Sequence, residues 1–211
     1  MGESVFTEAD LAYLRANFAT LDELCAGRAE SARDVRELIE RRRLPQPSYV
    51  LPDGTGMFPG DYFQLVDDAG GIERLREHFA ARHRRASLAN GASPDELERD
   101  WDAYLDGTYG VCLRDVTPET IVRKAVLVSS LCELIVLARP RDPEWRGELR
   151  EQVAELDALE REFAPDYDRD VSRFGRPPTR DLIIAAARER FPTTIPARAE
   201  PAIPTGCGRT R

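Results

Sequence analysis

Glu98, Asp102 and Asp106 stand at i, i+4 and i+8 beside Trp101 and Tyr104, a spacing that lines three carboxylates along one side of a helix. Like charges so placed repel by about a few tenths of a kcal/mol per pair. Either water solvates them, or they face a cleft in which a carboxylate serves as a general base or an amine ligand. Tyr109 and Asp115 follow closely. Asp102, Asp106, Asp115 and Tyr109 are therefore the candidate catalytic residues, with Trp101 and Tyr104 as candidate substrate-binding surface. A second polar region runs from Ala164 to Asp181, where Arg173, Arg176 and Arg180 crowd a Gly/Pro loop that feeds a helix. Free backbone N–H groups at a helix start favour an anion, and guanidinium forks suit carboxylate, sulfate or phosphate. These arginines are the candidate anion-binding part of a substrate site. The competing reading pairs them with Asp166, Asp168, Asp170 and Asp181 to pin the loop.

Other chemistry is sparsely signalled. The chain has no GxSxG, no Walker phosphate loop, no GxGxxG and no HExxH, which removes the common hydrolases, nucleotide-dependent enzymes and zinc proteases. His78 and His83 are separated by roughly 140° around a helix, so they do not share a metal, and no metal or other cofactor is expected. Cys25, Cys112, Cys132 and Cys207 fall in no metal-binding spacing and read as free thiols of a reduced, cytoplasmic protein. Cys112, between Val111 and Leu113, reads as a buried inert thiol. Lys124, the sole lysine, reads as a side chain snorkelling from an apolar helix.

The elements that must position these residues are mainly helical. Thr7-Glu-Ala-Asp10 and Thr20-Leu-Asp-Glu23 are capping-box starts of two short helices, and Ser31 caps a third, Ala32 to Arg43, with Val35, Leu38 and Ile39 as its core stripe. Tyr49 to Leu51, the turn Pro52-Asp-Gly-Thr-Gly56 and Met57-Phe58 read as a small β-hairpin. Three helices followed by a hairpin is the order of a winged helix-turn-helix. Helices are then expected from Ile72 to about Asn90 and from Pro94 to Asp106, with Tyr109 to Thr117 as a loop. Pro118 to Ala138 is apolar almost all round, capped by Thr117, and reads as a central buried helix that its neighbours enclose. A helix from Glu144 to Phe163, an irregular stretch to Pro178 and a helix capped by Thr179 follow. The expected organisation is a winged-helix-like unit over 1–63, a helical domain over 64–191 and a Pro-rich tail over 192–211.

A chain of 211 residues with 42% apolar and 32% charged residues is an ordinary globular protein. Its net charge is −8, and residues 1–90 hold 12 arginines against 15 acids. Affinity for DNA rests on a surplus of cations, so DNA is a disfavoured partner even though Arg33, Arg36 and Arg41 to Arg43 lie on the would-be recognition helix and its end. No stretch is long and uncharged enough to span a membrane. The expected partners are a small-molecule or carrier-bound substrate and a protein partner or second copy.

Several strings resemble an uncharacterised actinobacterial family found in natural-product biosynthetic gene clusters. They are Leu44-Pro-Gln-Pro-Ser-Tyr-Val-Leu-Pro-Asp-Gly54 with Met57-Phe-Pro59 and Asp61-Tyr-Phe63, Tyr104-Leu-Asp-Gly107 with Tyr109-Gly110 and Cys112-Leu113, Thr117-Pro-Glu119, and Arg173-Phe-Gly175 with Arg180-Asp181. The first also resembles, more loosely, the wing of regulators of the mercury-resistance repressor type. The resemblance implies a part in making a secondary metabolite: a small cofactor-independent tailoring enzyme or enzyme subunit of cyclase or lyase type, aziridine closure being one example. The alternatives are a pathway-specific winged-helix regulator and a non-catalytic accessory subunit.

Overall fold

The computed structural model describes residues 5–174 and 177–195, the side chains of residues 94, 173 and 174 excepted. The N-terminal unit is α1 (Glu8–Asn17), β1 (Phe18–Thr20), α2 (Leu21–Cys25), α3 (Ala32–Glu40), β2 (Tyr49–Val50) and β3 (Gly56–Pro59). Each helix starts where a hydroxyl can take up a free N–H. Thr7, Thr20 and Ser31 all form full capping boxes, with Asp10, Glu23 and Asp34 returning the bond. The hairpin is joined by a strand that the sequence does not announce. Phe18 to Thr20 pairs antiparallel with β3, which gives a three-stranded sheet of order β1-β3-β2 and completes a winged helix-turn-helix. Phe6, Leu14, Phe18, Tyr49 and Met57 fill a small core beneath it.

The helical part comprises α4 (Gln64–Ala69), α5 (Ile72–Asn90), a 3-10 turn and α6 (Leu97–Leu105), α7 (Thr108–Cys112), α8 (Pro118–Val136), α9 (Pro143–Leu159), α10 (Val171–Phe174), a π-helical stretch Arg180–Ala185 and α11 (Ala186–Arg190). α8 lies between α5 and α9 and joins two cores. Ile121 belongs to the one shared with the winged unit, while Leu127 and Leu131 belong to the other, around Trp145 and Leu149. The expected central helix is therefore present, but its enclosure is partial. Ala125, Ser129, Cys132 and Val136 face outward, because α5 and α9 cover two sides and small residues occupy most of the third. Among the described residues no helix is long and apolar enough to cross a membrane.

Several boundaries differ from the sequence reading: α3 ends at Glu40 and not at Arg43, and α4 is not among the expected helices. The expected loop after Tyr109 is interrupted by α7. The helix expected to reach Phe163 stops at Leu159, because Glu160 leaves it to form an antiparallel bridge with Leu113, supported by Arg161 N–H to Cys112 O (3.0 Å) and Arg114 N–H to Leu159 O (2.9 Å). Thr179 has helical dihedrals and makes no capping bond, so the last helical segment opens as a π turn. Most of the Pro-rich tail, from residue 196 on, lies outside the described residues.

The two units share one core. Leu21, Val35, Ile39 and Phe58 pack in the same cluster as Leu75, Phe79, Leu97 and Tyr104, across the boundary expected at residue 63. Gln46 donates its N–H to Leu105 O (2.8 Å), where the winged unit meets the end of α6. Gly107 sits there at φ +73°, and a Cβ on it would stand 2.5 Å from Gln46 O. Gly107→Ala combines left-handed strain with that clash and is expected to cost about 1–3 kcal/mol, read from the midpoint of urea unfolding.

Candidate functional site

An open cleft of about 810 Å³ lies where α6, α7, α8 and the 163–168 and 177–179 segments meet the start of β2. Its lining holds Lys124, Cys112, Tyr109, Asp106, Arg99 and Asp168, with Val111, Val128, Phe163, Pro177 and Pro178 as apolar walls. The Leu113–Glu160 bridge lies behind the lining residues Cys112 and Lys124. By turning the chain at the end of α9, it sets Glu160, fully buried, under Lys124, whose Nζ lies 2.9 Å from Glu160 Oε1. Lys124 is only 14% exposed, so it is half of a buried ion pair and not a snorkelling side chain. Burial works against its charge, but Cys112 and Glu160 outweigh that and hold the ammonium above the usual lysine value. It acts as a cation, not as a free amine. Cys112 is buried and its thiol is pushed up by desolvation, in line with an inert thiol.

Asp168 is a second buried charge of the cleft. It is 7% exposed. Its Oδ2 accepts from Tyr49 Oη (2.7 Å) and Ala164 N–H (2.7 Å), while Oδ1 has no hydrogen-bond partner among the described residues. Burial raises its pKa, and the two donors offset only part of that. A desolvated carboxylate with one oxygen tied back and the other left open in a cleft has the form of a general base. The segment bearing it is fixed from α1. Asp10 Oδ1 accepts from Asp166 N–H (2.9 Å) and Tyr167 N–H (3.1 Å), and Tyr167 stacks on Phe6 with ring centroids 4.2 Å apart.

The residues expected from sequence are dispersed. Tyr109 and Asp106 reach the cleft. Tyr109 Oη donates to Asp100 (2.8 Å), and burial lifts its pKa far beyond the neutral range, so it is a wall and not a base. Asp102 and Asp106 are exposed and paired with Arg42 (3.5 and 2.8 Å), which leaves them charged surface groups. Asp115 is exposed outside the cleft because the turn before α8 points it to solvent. Trp101 and Tyr104 pack against Phe79; Tyr104 lines a cavity of only about 20 Å³, too small for a substrate. Arg180 is buried against Asp157, which also takes Arg188 (3.0 Å), so it braces α9 and does not bind an anion in the cleft. Arg176 and the side chain of Arg173 lie outside the described residues.

One arrangement resembles a nucleophile triad and is not one. Ser87 Oγ lies 3.5 Å from His83 Nδ1, and His83 Nε2 lies 2.9 Å from Asp100 Oδ2. Ser87 has no exposed surface, so no substrate reaches its hydroxyl; the chain of bonds satisfies buried polar groups between α5 and α6.

Lys124→Met would strand the Glu160 carboxylate without a cation and is expected to cost about 3–5 kcal/mol in urea unfolding, with most of the loss recovered by adding Glu160→Leu. Asp168 gives a pH signature. Its folded pKa lies above the ordinary 3.8, so the folded chain keeps a proton that the unfolded chain has released, and stability falls as pH rises through that window. Asp168→Asn abolishes the term, so its stability relative to the unmodified chain should improve as pH rises above the ordinary aspartate range in unfolding titrations.

No curated protein and no solved structure matches the chain. Residues 72–192, more than half of its length and all of the cleft except the wall from the winged unit, match the model of a family of unknown function (DUF6058), and the chain belongs to that family.

Proposed function

We propose that the cleft is the reaction site of a small cofactor-independent enzyme, or enzyme subunit, that performs a cyclase- or lyase-type tailoring step on a small or carrier-bound substrate in secondary-metabolite biosynthesis. The observation that carries the reading is Asp168, a carboxylate 7% exposed with an unoccupied oxygen in a cleft of about 810 Å³. Stability alone gives no reason to bury a carboxylate without a cation, and such groups concentrate where chemistry needs them. In this reading Asp168 Oδ1 takes a proton from the attacking group or from the carbon beside a leaving group. Lys124, kept protonated by Glu160, faces the negative charge that develops as the bond to the leaving group breaks. The biosynthetic setting rests on the shared strings in the sequence.

The regulator reading draws on the β1-β3-β2 winged helix. Against it, the cations of its recognition helix are spent within the chain. Arg36 pairs with Asp22, Arg33 and Arg41 with Glu37, Arg42 with Asp102 and Asp106, and Arg43 with Glu73. The two readings separate in one experiment. Asp168→Asn in the producing strain is expected to lower product on the order of a hundredfold or more and to accumulate an unprocessed intermediate, with transcripts unchanged. Unchanged product with folded Asp168→Asn protein, or altered transcripts together with salt-dependent promoter binding lost in Arg36→Ala, would overturn the enzyme reading.

A further inference from the structure

Four charged side chains, two of each sign, line the cleft, and three are paired with opposite charges. Arg99 pairs with Glu96 and Asp100, Asp106 with Arg42 at 2.8 Å, and Lys124 with Glu160 at 2.9 Å. Asp168 is the exception. Its bonds come from two neutral donors, Tyr49 Oη and Ala164 N–H, both on Oδ2, and it has no ion pair among the described residues. More than nine-tenths of it is buried. The cleft thus carries one uncompensated negative charge in a place where water screens it poorly. A carboxylate or phosphate ligand placed beside Oδ1 would be repelled, and a neutral ligand would leave the charge as it is. A ligand cation cancels it at the one oxygen left open, with a charge-assisted hydrogen bond.

We infer that the ligand of this cleft is an amine, bound as its ammonium by Asp168 Oδ1 with its apolar body against Val111, Val128, Phe163 and Pro178. The inference names the substrate class of the site proposed above and rests on that cleft being the functional one. It also gives Tyr49 a part. Its hydroxyl ties Oδ2 back, so that Oδ1 points to the ligand, and its ring is wedged edge-on between Phe18 and Tyr167.

The test uses the full-length protein and three probes of one shape: 2-phenylethylamine, 2-phenylethanol and phenylacetate, titrated near neutral pH by calorimetry or by NMR. The amine should bind, with the alcohol and the acid at least about tenfold weaker, the difference a charge-assisted bond supplies. Asp168→Asn should erase the preference, whereas Asp102→Asn, outside the cleft, should leave it intact. The comparison of probes on the unmodified chain needs no variant to fold. Phenylacetate binding as tightly as the amine, no binding of the amine, or amine affinity unchanged in folded Asp168→Asn would each overturn the inference. Failure of the enzyme reading has a different signature: amine binding that depends on Asp168, with product formation unaffected by the same substitution.

Discussion

The fold depends on how Asp10 is held. Its carboxylate is fully buried, and no cation is paired with it among the described residues. It is stabilised instead by donors: the N–H and hydroxyl of Thr7, and the N–H groups of Asp166 and Tyr167. Burial alone would raise its pKa, but the donors outweigh it and hold the group below the usual aspartate value. One carboxylate therefore caps the first helix and anchors a segment more than 150 residues away in the chain. Because Asp168 lies one residue beyond that anchor and is gripped by Tyr49 from the sheet, its position is set from the winged unit, not from the helices on which the rest of the cleft is built.

That arrangement changes what a winged helix means here. In a DNA reader the second helix of the motif presents unpaired cations to phosphate. In this chain Arg42 turns back onto α6, Gln46 and Ser48 bond to the backbone at Leu105 and Gly107, and Tyr49 completes the environment of Asp168. The unit contributes part of the cleft wall through Ser48 and holds Asp168 through Tyr49. A superfold carries no fixed function, and the surface it spends on internal contacts is lost to external ones.

Local signals were legible in the sequence, and non-local ones were not. The capping boxes at Thr7 and Thr20, the Thr117 start of α8 and the extent of α5 follow from residues within one or two turns of each other, and the structure has all of them. β1 was missed because three residues between two caps carry no alternation and owe their pairing entirely to β3. The grouping of residues at the cleft was not legible for the same reason. Asp102 and Asp106 look like a catalytic pair along the helix, yet Arg42, 60 or more residues away, absorbs both. Asp168 looked like one more loop acid available to the arginines, and Lys124 like a cation on its way to solvent. Only the Leu113–Glu160 bridge and the Tyr49 contact, neither visible as a periodicity, decide that both end up buried at one cleft. The single available signal was compositional: a chain with 30 basic residues keeps one lysine, and that lysine sits in its most apolar helix.

Asp10 and Asp168 make a useful internal comparison, since both are buried aspartates at the same junction with no cation paired to them among the described residues. Asp10 has donors on both oxygens, is pulled below the usual value and is explained by architecture alone. Asp168 has donors on one oxygen only, is pushed up by burial, and opens on a cleft. The segment could have satisfied the second carboxylate as it did the first, with one more N–H or with Arg169, which instead pairs with Asp181. Without a protein donor on that oxygen, the carboxylate keeps an acceptor in a space that a small molecule can enter. That difference between two neighbouring carboxylates, and not the presence of a winged helix, is what marks the junction between the two units as the candidate site.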